Sequence, residues 1–195
     1  MKTLAFLAAA LVLAGCATPQ AGRAPASPAA GTAAAATDAP PTAWQTRTFG
    51  PLAALAGQRF RSAPAEGQPS DIQDWSWDLG GAVLVSRHAL ADGSYGGVTH
   101  IYRNTRTGKL DYVYVTNGGF VTEGSFTLTG NTWHAVEAVS GHETITAVRS
   151  TGTIHEDGRL TMVSEYLKSG EWVPGRNAAY LPAPDAKMPD LNAPE

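Results

Sequence analysis

Residues 120–140 read FVTEGSFTLTGNTWHAVEAVS, and the Gly130-Asn131 pair at their centre sets the pairing of everything around it. Two such residues between runs of alternating apolar and polar side chains mark a two-residue hairpin loop. On that loop Thr129 faces Thr132, Leu128 faces Trp133, Phe126 faces Ala135 and Gly124 faces Glu137. Strand side chains alternate between faces with period two. One face therefore collects Phe120, Phe126, Leu128, Trp133, Ala135, Glu137 and Val139, and the other Glu123, Ser125, Thr127, Thr129, Thr132, His134 and Ser140. The apolar face is expected to point inward.

The same grammar extends in both directions. Gly80-Gly81, Asp92-Gly93, Thr107-Gly108, Asn117-Gly118, Gly141, Asp157-Gly158 and Ser169-Gly170 recur at intervals of mostly 10 to 15 residues between β-branched and aromatic segments. Ten strands follow, near 58–62, 72–79, 82–90, 95–103, 109–116, 119–129, 131–140, 142–155, 159–168 and 171–180. One short helix is expected at 51–57, with Pro51 at its start and Gly57 past its end. Every connection is short enough for a hairpin. An all-β, ten-stranded antiparallel up-and-down barrel removes the two exposed edges that an open sheet would leave. A β-sandwich is the alternative.

Carrying the register onward assigns the interior. A Ser140-Gly141 turn places Thr144, Val148, Ser150 and Ile154 inside and Arg149 outside. A two-residue Asp157-Gly158 loop then sets Ile154 opposite Thr161 and Ser150 opposite Glu165, turning Val163, Glu165 and Leu167 inward. Backward from Gly80-Gly81, Trp77 faces Leu84 and Trp75 faces Ser86, so Trp75, Trp77, Leu84, His88 and Leu90 share the inner face. A four-residue loop at 91–94 adds Tyr95, Thr99, Ile101 and Arg103. Tyr112 and Tyr114 stay unassigned, because 117–119 fits a two- or a three-residue loop. The expected lumen is aromatic and aliphatic, with His88, Arg103, Glu137 and Glu165 set into it. Buried charges are costly unless paired or solvated. Either Arg103 and buried waters satisfy the glutamates, or these groups orient a ligand in a mostly apolar cavity.

Several chemistries are argued down. A net charge of −3, with 14 Lys+Arg against 17 Asp+Glu, leaves no basic footprint for nucleic acid. One Cys permits neither an internal disulfide nor a Cys-rich zinc site. In the expected register Glu137 and Glu165 sit about 20 Å apart along a shared neighbour, too far for a carboxylate dyad. His134, Glu137, His142 and Glu143 resemble metal spacing, but residues three apart on a strand point to opposite faces. No His-Glu-x-x-His, Walker A or Gly-x-Ser-x-Gly motif is present. No cofactor, metal ligand or catalytic residue is assigned.

The N-terminal residues concern location. Lys2 precedes an apolar run over 4–13 that is too short to span a bilayer but fits a signal peptide. The run ends in Leu13-Ala14-Gly15-Cys16, which resembles a bacterial lipoprotein signal. That resemblance implies removal of 1–15, lipidation of Cys16 and, with Ala17 following, an outer-membrane address facing the periplasm. Residues 17–43 hold 12 Ala, 5 Pro and 2 Gly among 27, so the stretch at 16–43 is expected to be a disordered tether. The barrel domain is expected over 44–181, and a Pro-rich tail over 182–195.

The short helix with Leu52, Leu55 and Gly57, followed by Trp75-Ser76-Trp77-Asp78-Leu79-Gly80-Gly81 and a run of hairpins, resembles the bacterial lipocalin-like (calycin) barrels. The group includes fatty-acid-binding-like and nitrobindin-like ten-stranded forms, many without an assigned function. The resemblance covers about residues 50–181 and implies a barrel with an internal cavity. Nitrobindin-like members hold haem through a His on a late strand, and residues 171–181 contain none.

The expected function is therefore a lipid-anchored envelope protein that takes up a small, partly apolar or amphipathic ligand. Trp75, Trp77, Tyr95 and Trp133 would form the walls, and His88, Arg103, Glu137 and Glu165 the polar anchors. One alternative is an envelope protein–protein interaction or structural module with a filled core. Another is an enzyme using Glu137 or His88 as a lone general base.

Overall fold

A computed structural model describes residues 39–63 and 69–191. The expected signal peptide, Cys16 and the expected tether as far as residue 38 lie outside the described residues. The first element is a helix, α1 (Ala43–Phe49), followed directly by a 3₁₀ segment at Gly50–Leu55. Thr42 opens α1 with a capping box: its hydroxyl accepts the Gln45 N–H and the Gln45 side chain accepts the Thr42 N–H. The expected helix at 51–57 is thus a 3₁₀ turn at Gly50–Leu55, and the α-helix precedes it.

Ten strands follow: β1 (Arg59–Ser62), β2 (Asp71–Asp78), β3 (Val83–Leu90), β4 (Gly96–Arg103), β5 (Leu110–Thr116), β6 (Val121–Thr129), β7 (Thr132–Ser140), β8 (Ile145–Ile154), β9 (Leu160–Lys168) and β10 (Glu171–Pro182). Each is antiparallel to its sequence neighbours, and β1 closes on β10 through Phe60↔Pro182 and Ser62↔Tyr180. All ten lie in one closed barrel, so the sandwich is excluded.

The β6–β7 hairpin has the register read from Gly130-Asn131, with Leu128 opposite Trp133 and Gly124 opposite Glu137. The β2–β3 pairs Trp75↔Ser86 and Trp77↔Leu84 also agree with the sequence reading. Between β7 and β8 the loop is longer than expected. Glu137 faces Val148 rather than Thr144, a displacement of four that preserves the faces, so Val148 and Ser150 stay inside and Thr144 is exposed.

The β8–β9 connection overturns an assignment. The His155 N–H donates to the Arg159 carbonyl and the Gly158 N–H to the His155 carbonyl, which makes 156–158 a three-residue loop. Gly158 takes the positive φ such a loop needs, +80°. One extra loop residue slips the register by one and exchanges the faces of β9. Ile154 then faces Leu160, and Arg149 faces Glu165. Met162, Ser164 and Tyr166 line the interior, whereas Val163 is 51% exposed.

The 3₁₀ segment stoppers one end of the barrel. Phe49, Leu52 and Leu55 are buried with Phe60, Leu84, Ile101, Trp133 and Leu160. Phe49 meets the Trp77 ring edge-on at 5.0 Å. The tail after β10 is held to the outer wall: the Ala183 N–H donates to the Arg59 carbonyl, and the Arg59 guanidinium to the Ala186 carbonyl. Leu191 ends against the bare face of Gly96 on β4. Ile72 and Ala89, on the strands between those anchor points, are buried.

Candidate functional site

Above the stopper the interior is not filled. A cavity of about 450 Å³ extends from Leu52 to a rim formed by Tyr95, Phe120 and His142. Its lower walls are Trp75, Ile101, Tyr112, Phe126, Trp133 and Leu160. Bare inward positions make room for the largest rings: the Trp133 indole lies over Gly152, and the Tyr114 ring over Gly97.

The polar groups fall into two sets. The first is centred on Asp71, the opening residue of β2, which is 1% exposed. Its Oδ2 accepts the Tyr180 hydroxyl at 2.7 Å and faces Arg176 Nη2 at 3.2 Å. Its Oδ1 lies 3.0 Å from His88 Nδ1. The opposite imidazole nitrogen, Nε2, is 2.6 Å from the Tyr114 hydroxyl, which is 2.8 Å from the Tyr95 hydroxyl. Burial pushes the Tyr114, Tyr95 and Tyr180 phenols above their ordinary range, so all three stay protonated.

The second set is centred on Glu137 of β7. Its carboxyl group accepts from the Thr122 hydroxyl and the Tyr112 phenol. Burial nevertheless dominates these two bonds and holds the carboxyl above the usual carboxylate range. Asp71 thus has three side-chain partners, one of them a cation, whereas Glu137 has two, both neutral.

Arg176 reaches Asp71 because of a bulge. The β9–β10 register shifts between Pro174 and Asn177, which leaves Gly175 and Arg176 without ladder partners. Side chains of β9 satisfy the freed backbone groups: Tyr166 Oη accepts the Arg176 N–H at 3.2 Å, and the Ser164 hydroxyl donates to the Arg176 carbonyl at 3.0 Å. A bulge re-aims the side chain that follows it. Here it turns a guanidinium into the lumen.

Five of the expected site residues line this cavity: Trp75, His88, Tyr95, Trp133 and Glu137. Trp77 shares their face but sits lower, packed on Phe49 in the stopper. Arg103 also has the inward parity. It ends β4 beyond the stopper, however, where it is exposed over the 104–109 turn. Glu165 is on the outer wall, where Arg149 grips it through Nε at 2.6 Å and Nη2 at 2.8 Å. Arg103 and Glu165 are therefore not cavity anchors, and the slipped β8–β9 loop accounts for Glu165.

Sequence reasoning missed Asp71, Arg176 and Tyr180 and left Tyr114 open. Asp71 carried a signal, because the β2 face that holds Trp75 and Trp77 continues by period two to Gln73 and Asp71. His134, once weighed as a metal ligand, bonds Thr151 Oγ1 on the outer face. No family model matches the chain, and no curated protein matches it.

Proposed function

We propose that this chain is a lipid-anchored envelope protein, facing the periplasm from the outer membrane, that binds a small, partly apolar molecule inside its barrel. The cavity carries the binding half of this reading. About 450 Å³ lies within the range of small-molecule sites, and aromatic and aliphatic walls surround a few convergent polar groups. A module working only through its outer surface would have no use for an unfilled lumen whose bare strand positions seat large rings. The Leu13-Ala14-Gly15-Cys16 sequence supports the anchor.

Organic extraction of the purified chain followed by mass spectrometry tests the binding. The expected result is a copurifying small molecule, together with saturable quenching of Trp75 and Trp133 emission by an apolar probe. Ser150→Phe, which fills the lumen from β8, should abolish both. If nothing copurifies and quenching never saturates, the reading is wrong. The anchor is tested separately: Cys16→Ser should move the protein from the membrane to the soluble fraction.

A further inference from the structure

Asp71, His88, Tyr114 and Tyr95 form a hydrogen-bonded chain from the wall of the barrel to its rim, and the direction of each bond follows from the one before. Asp71 is a carboxylate held by Arg176 and can only accept, so His88 Nδ1 carries the hydrogen in the 3.0 Å contact. In the neutral imidazole Nε2 is then a bare acceptor. The 2.6 Å contact must be Tyr114 O–H donating to it. The single proton of Tyr114 is thereby committed, so the 2.8 Å contact is Tyr95 O–H donating to Tyr114. Tyr95 has spent its own proton and offers the lumen only oxygen lone pairs.

From this geometry we infer that the cavity selects ligands carrying a hydroxyl group, an alcohol or phenol on an apolar body, which donates to Tyr95 Oη. The inference rests on the ligand-binding reading above. Tyr95 lines the cavity at the rim, among Phe120 and His142, so an incoming head group meets it there. Among the described residues no side chain donates to its oxygen. A hydroxyl rather than an ammonium is favoured because Arg176 also faces the lumen, as a cation. A hydroxyl can accept from a guanidinium as well as donate to a phenol oxygen, whereas an ammonium can only donate. The remaining groups around the chain are Gln73 opposite His88, Tyr180 on Asp71, and Tyr166 beside Arg176.

Two ring probes of nearly the same shape test this: 1-naphthol, which has the hydroxyl, and 1-methoxynaphthalene, which only accepts. The extra methyl makes the ether more apolar, so hydrophobicity alone ranks it first. At pH 8 the full-length protein should bind 1-naphthol about tenfold more tightly, the worth of one well-made hydrogen bond in a dry site. Tyr95→Phe should erase the preference. Tyr114→Phe should narrow it by a different route, because it frees the Tyr95 proton to donate to the ether and so strengthens ether binding. If neither probe binds, the ligand-binding reading itself fails. If both bind and the ether is equal or better, or if the preference survives in Tyr95→Phe, the cavity stands and the hydroxyl selection is overturned.

Discussion

The Tyr180 hydroxyl donates to Asp71 Oδ2 at 2.7 Å, joining the last strand to the start of the second across 109 positions of sequence. The bond lies beside the seam where β1, only four residues long, closes the barrel. The Asp71 backbone N–H donates to Ser62 Oγ on β1 itself. One buried acid therefore ties β1, β2, β3 and β10 together, and it also begins the chain of bonds that ends at the cavity rim. Barrel closure and the polar chain of the lumen share a residue.

Asp71→Ala should consequently be among the most damaging substitutions in the protein. It strands the Arg176 charge and leaves Tyr180 and His88 without their acceptor in a buried place. Breaking a fully buried ion pair from one side costs about 3–5 kcal/mol, and the half-buried Arg176 puts this variant toward the lower end. Tyr180→Phe removes one donor to the same carboxylate and should cost about 1.5–3 kcal/mol. Urea unfolding of both variants checks the ranking; equal, small losses would mean that the seam does not depend on this acid.

Glu137 gives a pH-dependent prediction of definite sign. Burial raises its folded-state pKa above the unfolded value, so the folded protein holds this proton more tightly than the unfolded chain does. Its contribution is fully present below the unfolded value and is lost as pH rises through the folded one. Glu137→Gln stays neutral throughout and escapes that loss. It should melt a few degrees above the parent at pH 8, and the gap should close towards pH 4. A gap constant across melting curves at pH 4, 6 and 8 would show that Glu137 titrates alike in both states.

The misassigned acid makes the opposite case. Arg149 and Glu165 hold each other on the outer wall, and the guanidinium keeps the Glu165 carboxyl below the usual carboxylate range. Any stability this pair gives is present above the unfolded value, is lost as pH falls, and is weakened by salt, as for exposed pairs generally. Glu165→Gln should leave probe binding in the cavity unchanged, as should Arg103→Ala at the closed end. Reduced affinity in either variant would place those side chains in the lumen after all.

These two residues also show where sequence stopped being sufficient. A Gly-Asn loop between alternating runs fixes β6 and β7 because alternation on both sides agrees on one pairing, and Trp133 and Glu137 followed correctly. Asp157-Gly158 suits a two-residue loop and a three-residue loop alike, and that single residue decides whether Glu165 or Ser164 faces inward. The flanking Thr161, Val163 and Glu165 are too mixed in polarity to arbitrate. Arg176 was missed for another reason: Pro174-Gly175 inside the strand is a local sign of a bulge, but the groups that hold it, Ser164 and Tyr166, lie on the neighbouring strand. The helix α1 was missed, and its Thr42 and Gln45 capping box is identified by the structure.

Gly152 tests the packing beneath the cavity. It faces Trp133 across β7 and β8, and the indole occupies the space a side chain would need. The ring is rigid, shares a buried cluster with Leu52 and Leu55, and has the cavity as its open side, so the lumen is the space into which it can yield. Gly152→Ala should therefore destabilise by about 1–3 kcal/mol through overpacking. It should also shift Trp133 emission and shrink the space open to probes. Adding Trp133→Leu removes the obstructing ring, so the double variant should be more stable than the sum of the two single changes predicts. Strict additivity in a double-mutant cycle would mean that the indole does not rest on Gly152.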